Sequence, residues 1–164
     1  MHMNFVSLLA VPLIARVCLV IMFPFSGLDK IVHWKEALQQ ADSSFLPGGS
    51  VLLALAIVVE FVTPACIVAG WHDRLAAFVL AGFCAVTALL YHPFWKYPHF
   101  WSKAGDGHSH FWDFLKNFGL AGGLLLVVVG GVPLSASAIV AQPLSSAPYA
   151  ASAAPASAPA SDAQ

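Results

Sequence analysis

Twenty-two residues, Ser50 to Trp71 (SVLLALAIVVEFVTPACIVAGW), carry a single charge, and that charge, Glu60, stands at their centre. At about 1.5 Å per residue such a run crosses the roughly 30 Å hydrocarbon core of a bilayer. The pattern therefore predicts a transmembrane helix with a carboxylate near the midplane. An acid at that depth costs roughly 3 kcal/mol on insertion scales, so a partner is required. Pro64, four residues on, has no N–H to offer the Glu60 carbonyl, which adds a second polar group at the same level.

The rest of the chain is of the same kind. Of its 164 residues 59% are hydrophobic and only 9% charged, against about 25% charged in a soluble domain. Too few polar side chains exist to cover a water-facing surface. The expected fold is all-α, an integral membrane bundle of four helices spanning about 5–28, 50–71, 75–92 and 111–132, with the lipid bilayer as its surroundings. A net charge of −1 with no basic block excludes a nucleic-acid partner. No Lys or Arg precedes the first apolar run, and no small-x-small site follows it. It reads as a retained helix rather than a leader. Cys18, Cys66 and Cys84 fall in three different apolar segments and read as small packing residues.

Four spans put both ends of the bundle on one side, B, with the short turn His72-Asp73-Arg74; the two long loops lie on side A. The third span is rich in small residues (Ala76, Ala77, Ala81, Gly82, Ala85, Ala88), and Gly119 and Gly123 form a GxxxG in the fourth. Both are signs of close helix packing in lipid. Near the membrane, side A carries Lys30, Lys35, Lys96, Lys103 and Lys116, whereas side B carries Arg74. The positive-inside rule then favours cytoplasmic loops. Residues 133–164, nearly all Ala, Ser and Pro, read as a low-complexity disordered tail with no chemistry of its own.

Two polar groupings emerge from counting. Arg16 is the one charge inside the first span and lies near its middle, so Arg16 and Glu60 are expected at one depth as an intramembrane ion pair that anchors the bundle. A surface cluster on side A is expected from Lys30, His92, Asp113, Lys116 and Asn117, with Lys30 snorkelling to the headgroups. The loop from His92 to His110 (HPFWKYPHFWSKAGDGHSH) interleaves four histidines with five aromatics and is expected at the headgroup interface. His108-x-His110 with Asp106 and His92 or His99 is a donor set for Zn, Cu or haem iron, although its spacing matches no strong template. No Ser-His-Asp order, phosphate-binding glycine loop or paired-carboxylate motif is present, so nothing marks the chain itself as an enzyme.

Several pieces, in order, resemble the DoxX family of small four-helix bacterial membrane proteins. They are Ala15-Arg16 with the apolar run to Gly27-Leu28-Asp29-Lys30, then Val59-Glu60-Phe61 and the Gly70-Trp71-His72-Asp73-Arg74 turn. Thr87-Ala88-Leu89-Leu90-Tyr91-His92, Phe114-Leu115-Lys116-Asn117 and Gly119 to Gly123 complete them. They cover about residues 10–130; the His/Trp-rich loop and the tail fall outside the family pattern. The resemblance implies a multi-pass protein of the bacterial cytoplasmic (inner) membrane. It also implies a link, found in some members, to quinone-linked oxidation or to membrane oxidoreductase complexes. Two functional classes follow. One is an auxiliary or quinone-interacting subunit of a membrane redox system, in which Arg16, Glu60, Lys116 and His92 bind a headgroup or relay protons. The other is a small-solute or proton carrier using the central pair. A non-catalytic assembly protein, working with redox-complex subunits or as a homo-oligomer, is the plainer reading. The pair itself reads as structural, and chemistry is expected where Lys116, His92 and the loop histidines meet.

Overall fold

The computed structural model describes residues 5–43, 46–102, 105–130 and 140–149. Six α-helices and one 3-10 turn make up the described chain: α1 Phe5–Val20, α2 Met22–Val32, α3 Trp34–Asp42, α4 Gly49–Ala69, α5 Asp73–Tyr91, the turn Phe94–Lys96, and α6 Asp106–Val129. Four stretches are long and apolar enough to cross a membrane: Leu9–Val32, Gly49–Ala69, Asp73–Lys96 and Asp106–Val129. The all-α, four-span architecture is thus as expected, while the span bounds shift by up to five residues, and two of the shifts bear on the site. The first span runs on through Lys30 to Val32, with only a one-residue break at Ile21 between α1 and α2. Pro24 accounts for that break, because it has no N–H for the carbonyl of Val20 one turn earlier. The last span starts at Asp106 rather than 111.

The polar connection on side A is largely helical. His33 separates α2 from α3, and Pro47-Gly48 separates α3 from α4, with Gly48 in the left-handed region (φ 84°) that a glycine adopts without strain. On side B, α4 ends at Gly70 (φ 72°), and the N–H of Trp71 returns to the carbonyl of Cys66 at 3.0 Å. This satisfies a terminal carbonyl of the helix and turns the chain at once into α5.

Helix α5 is the centre of the bundle, packed between α4 and α6. Its Ala77, Leu80, Cys84 and Ala88 are wholly buried, against Ile67 of α4 and Leu124 of α6. The small side chains let backbones approach, and dispersion contacts then supply the attraction that lipid does not. Helix α2 meets α4 through Gly27, where an added Cβ would stand 2.8 Å from the Phe61 ring. Of the expected GxxxG face, Gly123 touches Leu19 of α1, but Gly119 faces open space.

The His/Trp-rich loop folds into an aromatic cluster. Phe94 has Trp95, Phe100, Phe111 and Phe114 edge-on around it, at centroid distances of 5.0–5.3 Å. Such pairs are each worth about 0.5–1.5 kcal/mol beyond burial. Trp95, Trp101 and Trp112 remain exposed.

Replacing Gly27 by Val pushes a branched side chain into Phe61 and lifts α2 off α4. A loss of roughly 1–3 kcal/mol is expected from overpacking, read as an earlier midpoint when the purified protein is unfolded in mixed micelles.

Candidate functional site

The antiparallel register of the first span against α4 decides which charges meet. Gly27 is level with Phe61. Arg16, eleven residues before Gly27, therefore lies about 16 Å farther toward side B, level with the turn between α4 and α5. There Arg16 Nη2 meets Asp73 Oδ2 at 2.8 Å, with side chains 10% and 0% exposed, and Nη1 donates to the carbonyl of Ile67 at 2.8 Å. The expected Arg16–Glu60 pair does not form. Because the first span extends to Val32, its midpoint falls near Val20 and Ile21, and Arg16 is displaced from the depth of Glu60.

The partner of Glu60 is Lys30. Its Nζ reaches back down the helix and donates to Glu60 Oε1 at 2.8 Å, with the two side chains 26% and 3% exposed. Ser26, one turn before Lys30 on the same face, donates to the same Oε1 at 3.0 Å and accepts from Lys30 Nζ at 2.6 Å. Lys30 is thus bound inward rather than snorkelling outward. The other carboxylate oxygen, Glu60 Oε2, is buried and has no hydrogen-bond partner among the described residues.

This triad forms one wall of a cavity of about 400 Å³ on the side-A half of the bundle. Ala37, Gln40 and Ala41 of α3 line it, as do Tyr91, His92 and Asn117. Most of the remaining lining is aliphatic or Phe. Met22, Leu55 and Val86 line it and are also more than half exposed or close to it on the lipid-facing surface, so the cavity opens sideways toward the bilayer.

The expected surface cluster is therefore divided. Lys30, His92 and Asn117 come together on the cavity. Asp113 and Lys116 pair with each other at 3.0 Å on the outer face of α6, with side chains 40% and 70% exposed, where an ion pair contributes little. Asn117 Nδ2 donates to the carbonyl of Asp113 at 2.9 Å.

The metal reading does not hold either. Among the described residues no three His, Cys, Asp or Glu side chains form a metal-binding group. With α6 beginning at Asp106, His108 and His110 are two apart on a helix and face different directions. His108 Nε2 accepts from Trp112 Nε1 at 3.1 Å, and His110 stacks on Tyr97, its Nε2 3.1 Å from the Tyr97 hydroxyl. His99 and Asp106 are exposed. One neighbour contact survives: the His92 and His110 rings lie 5.7 Å apart, and the Nδ1 of each is buried with no partner among the described residues.

Asp73 and the chain's C-terminal part lie outside the groupings expected from the sequence. Most of the expected tail lies outside the described residues, but residues 140–149 dock onto the side-B end. Ser146 donates from its N–H to Asp73 Oδ1 at 2.8 Å and from its hydroxyl to Oδ2, and it also accepts from Arg16 Nη2 at 2.9 Å. The Tyr149 hydroxyl donates to the carbonyl of Val68 at 2.6 Å, and Arg74 donates to the carbonyls of Gln142 and Gly130. Isolated Ser and Tyr residues that cap helix ends leave no periodic signal in a low-complexity stretch. The acid in a tight turn next to an in-span arginine was the available clue.

Removing Arg16 or Asp73 singly is expected to cost about 3–5 kcal/mol by leaving a buried charge unpaired, and removing both to recover part of that. A double-mutant cycle for Arg16 with Glu60 should instead be additive to within about 0.5 kcal/mol; unfolding midpoints of the four proteins in each cycle decide between the two pairings.

The DoxX family profile matches residues 11–93. The chain is similar to the inner membrane protein YqjF of Escherichia coli K12, with 31% identity over 119 residues that cover 73% of this chain and 82% of that protein. It is also similar to the inner membrane protein YphA of the same organism, with 28% identity over 120 residues covering 73% and 81%. No solved structure matches the chain significantly. With its four spans and these inner membrane relatives, the chain belongs to the DoxX family of membrane proteins.

Proposed function

We propose that the protein is a quinone-interacting component of a membrane redox system and that the side-A cavity receives the quinone headgroup. The observation that carries this reading is the Lys30–Glu60 pair set in the wall of an otherwise largely apolar cavity of about 400 Å³. Small-molecule sites are typically concave, a few hundred Å³ in volume, mostly apolar, and fitted with a few placed polar groups. A quinone headgroup is a flat apolar ring with oxygens at opposite edges. Phe83, Val59 and Leu90 offer the ring apolar walls, and Lys30, Asn117 and His92 offer polar contacts. The lateral opening past Met22 and Leu55 suits a ligand that arrives from the lipid with its tail still in it. An intramembrane ion pair kept beside a cavity is a general sign of a functional site.

The test is equilibrium binding of a short-chain benzoquinone to the purified full-length protein in detergent, with Ala56→Trp as the control that fills the cavity. Saturable binding is expected, weakened at least tenfold by Ala56→Trp. Absence of saturable binding to the native protein would sink the reading.

A further inference from the structure

The two oxygens of Glu60 are in different states. Oε1 accepts from both Ser26 and Lys30. Oε2 is buried, lacks any partner, and belongs to a side chain that lines the cavity and is only 3% exposed. A carboxylate paired to an ammonium only accepts hydrogen bonds. A buried acceptor left unsatisfied loses its hydration without return, so whatever fills the cavity is favoured if it brings an O–H or N–H to Oε2. Lys30 complements this: its ammonium has three N–H groups, of which two are engaged by Ser26 and Glu60. Glu60, a residue of the cavity wall, therefore has one acceptor oxygen still open, and Lys30 beside it has one N–H still to give.

From this geometry we infer that the site discriminates between the redox states of its ligand and prefers the quinol to the quinone. The inference rests on the reading of the cavity as a quinone site and adds a direction to it. A quinol hydroxyl donates to Glu60 Oε2 and accepts from Lys30 at once. A quinone carbonyl accepts from Lys30 but has no hydrogen for Oε2, which stays unsatisfied. Leaving one buried group unsatisfied corresponds to roughly a ten- to hundredfold weaker complex. Each tenfold preference raises the two-electron midpoint of the bound couple by about 30 mV relative to the free one. The site thus holds reduced carrier and releases oxidised carrier.

The experiment compares dissociation constants of one short-chain benzoquinone, its quinol and the dimethyl ether of that quinol. All are titrated anaerobically into the native full-length protein in detergent. The expected order is quinol tightest by tenfold or more, with the dimethyl ether, which lacks an O–H, no better than the quinone. Glu60→Gln replaces an acceptor by an amide that can donate, and is expected to abolish or invert the preference. Should that variant fail to fold, the three ligands on the native protein decide alone. If quinone and quinol bind equally, or the dimethyl ether matches the quinol, the inference is overturned while the cavity remains a quinone site. If a folded Glu60→Gln protein keeps the quinol preference, Glu60 is not its source and the inference is equally overturned. If none of the three ligands binds, the inference and the proposed function fall together.

Discussion

Charges inside a bilayer must find one another, and in this protein that requirement fixes how the first span lies against the second and third. Helices in lipid gain no hydrophobic energy by associating, so apolar faces alone leave their register weakly specified. Two buried pairs remove the ambiguity. Arg16–Asp73 ties the side-B half of the first span to the start of α5, and Lys30–Glu60 ties α2 to the middle of α4. Sliding the first span by one turn, about 5 Å, would separate both pairs at once and leave four charges desolvated. The close approach at Gly27 and Phe61 sits between the two pairs and is met only in that register. Buried polar groups are best attested in this role, as selectors of one alignment rather than as net stabilisers.

The sequence made the architecture readable because length and hydropathy are nearly sufficient for it. Four apolar runs, a turn of three polar residues and small residues along α5 have no soluble interpretation. It also made Glu60 readable as a group in need of a partner. The partner's identity was a different matter. Depth along a span depends on where its apolar run ends, and a continuation of only four residues, from Leu28 to Val32, exchanges both partners. Lys30 looked like a terminal residue free to snorkel, since nothing in a one-dimensional pattern shows a four-carbon stem turning inward. Asp73 looked like turn chemistry. His108 and His110 looked convergent because a two-residue spacing suggests a loop; once α6 starts at Asp106, the same spacing places them on different faces.

The ends of the bundle are closed by parts of the chain that carry little periodic signal. On side A, loop aromatics pack around Phe94, and α3 lies over the cavity. On side B, residues 140–149 bring Ser145, Ser146 and Tyr149 to carbonyls and a carboxylate at the α4–α5 turn. Both arrangements answer the same problem. Helix ends and the turns between them expose backbone polar groups near the hydrocarbon boundary, and these must be satisfied from within the protein or by headgroups and water.

The contrast between the two buried carboxylates then separates structure from chemistry. Asp73 has both oxygens occupied, by the Ser146 N–H on one side and by Arg16 and the Ser146 hydroxyl on the other. A fully satisfied buried acid has nothing left to offer a ligand and is accounted for by alignment alone. Glu60 has one oxygen satisfied and one not, and the residue borders a space large enough for a small molecule. Alignment needs only the occupied oxygen. A buried acceptor without a partner is costly to maintain, and its cost is explained when the group that completes it is not part of the chain. The register set by Lys30 thus holds Glu60, at the middle of α4, against the cavity.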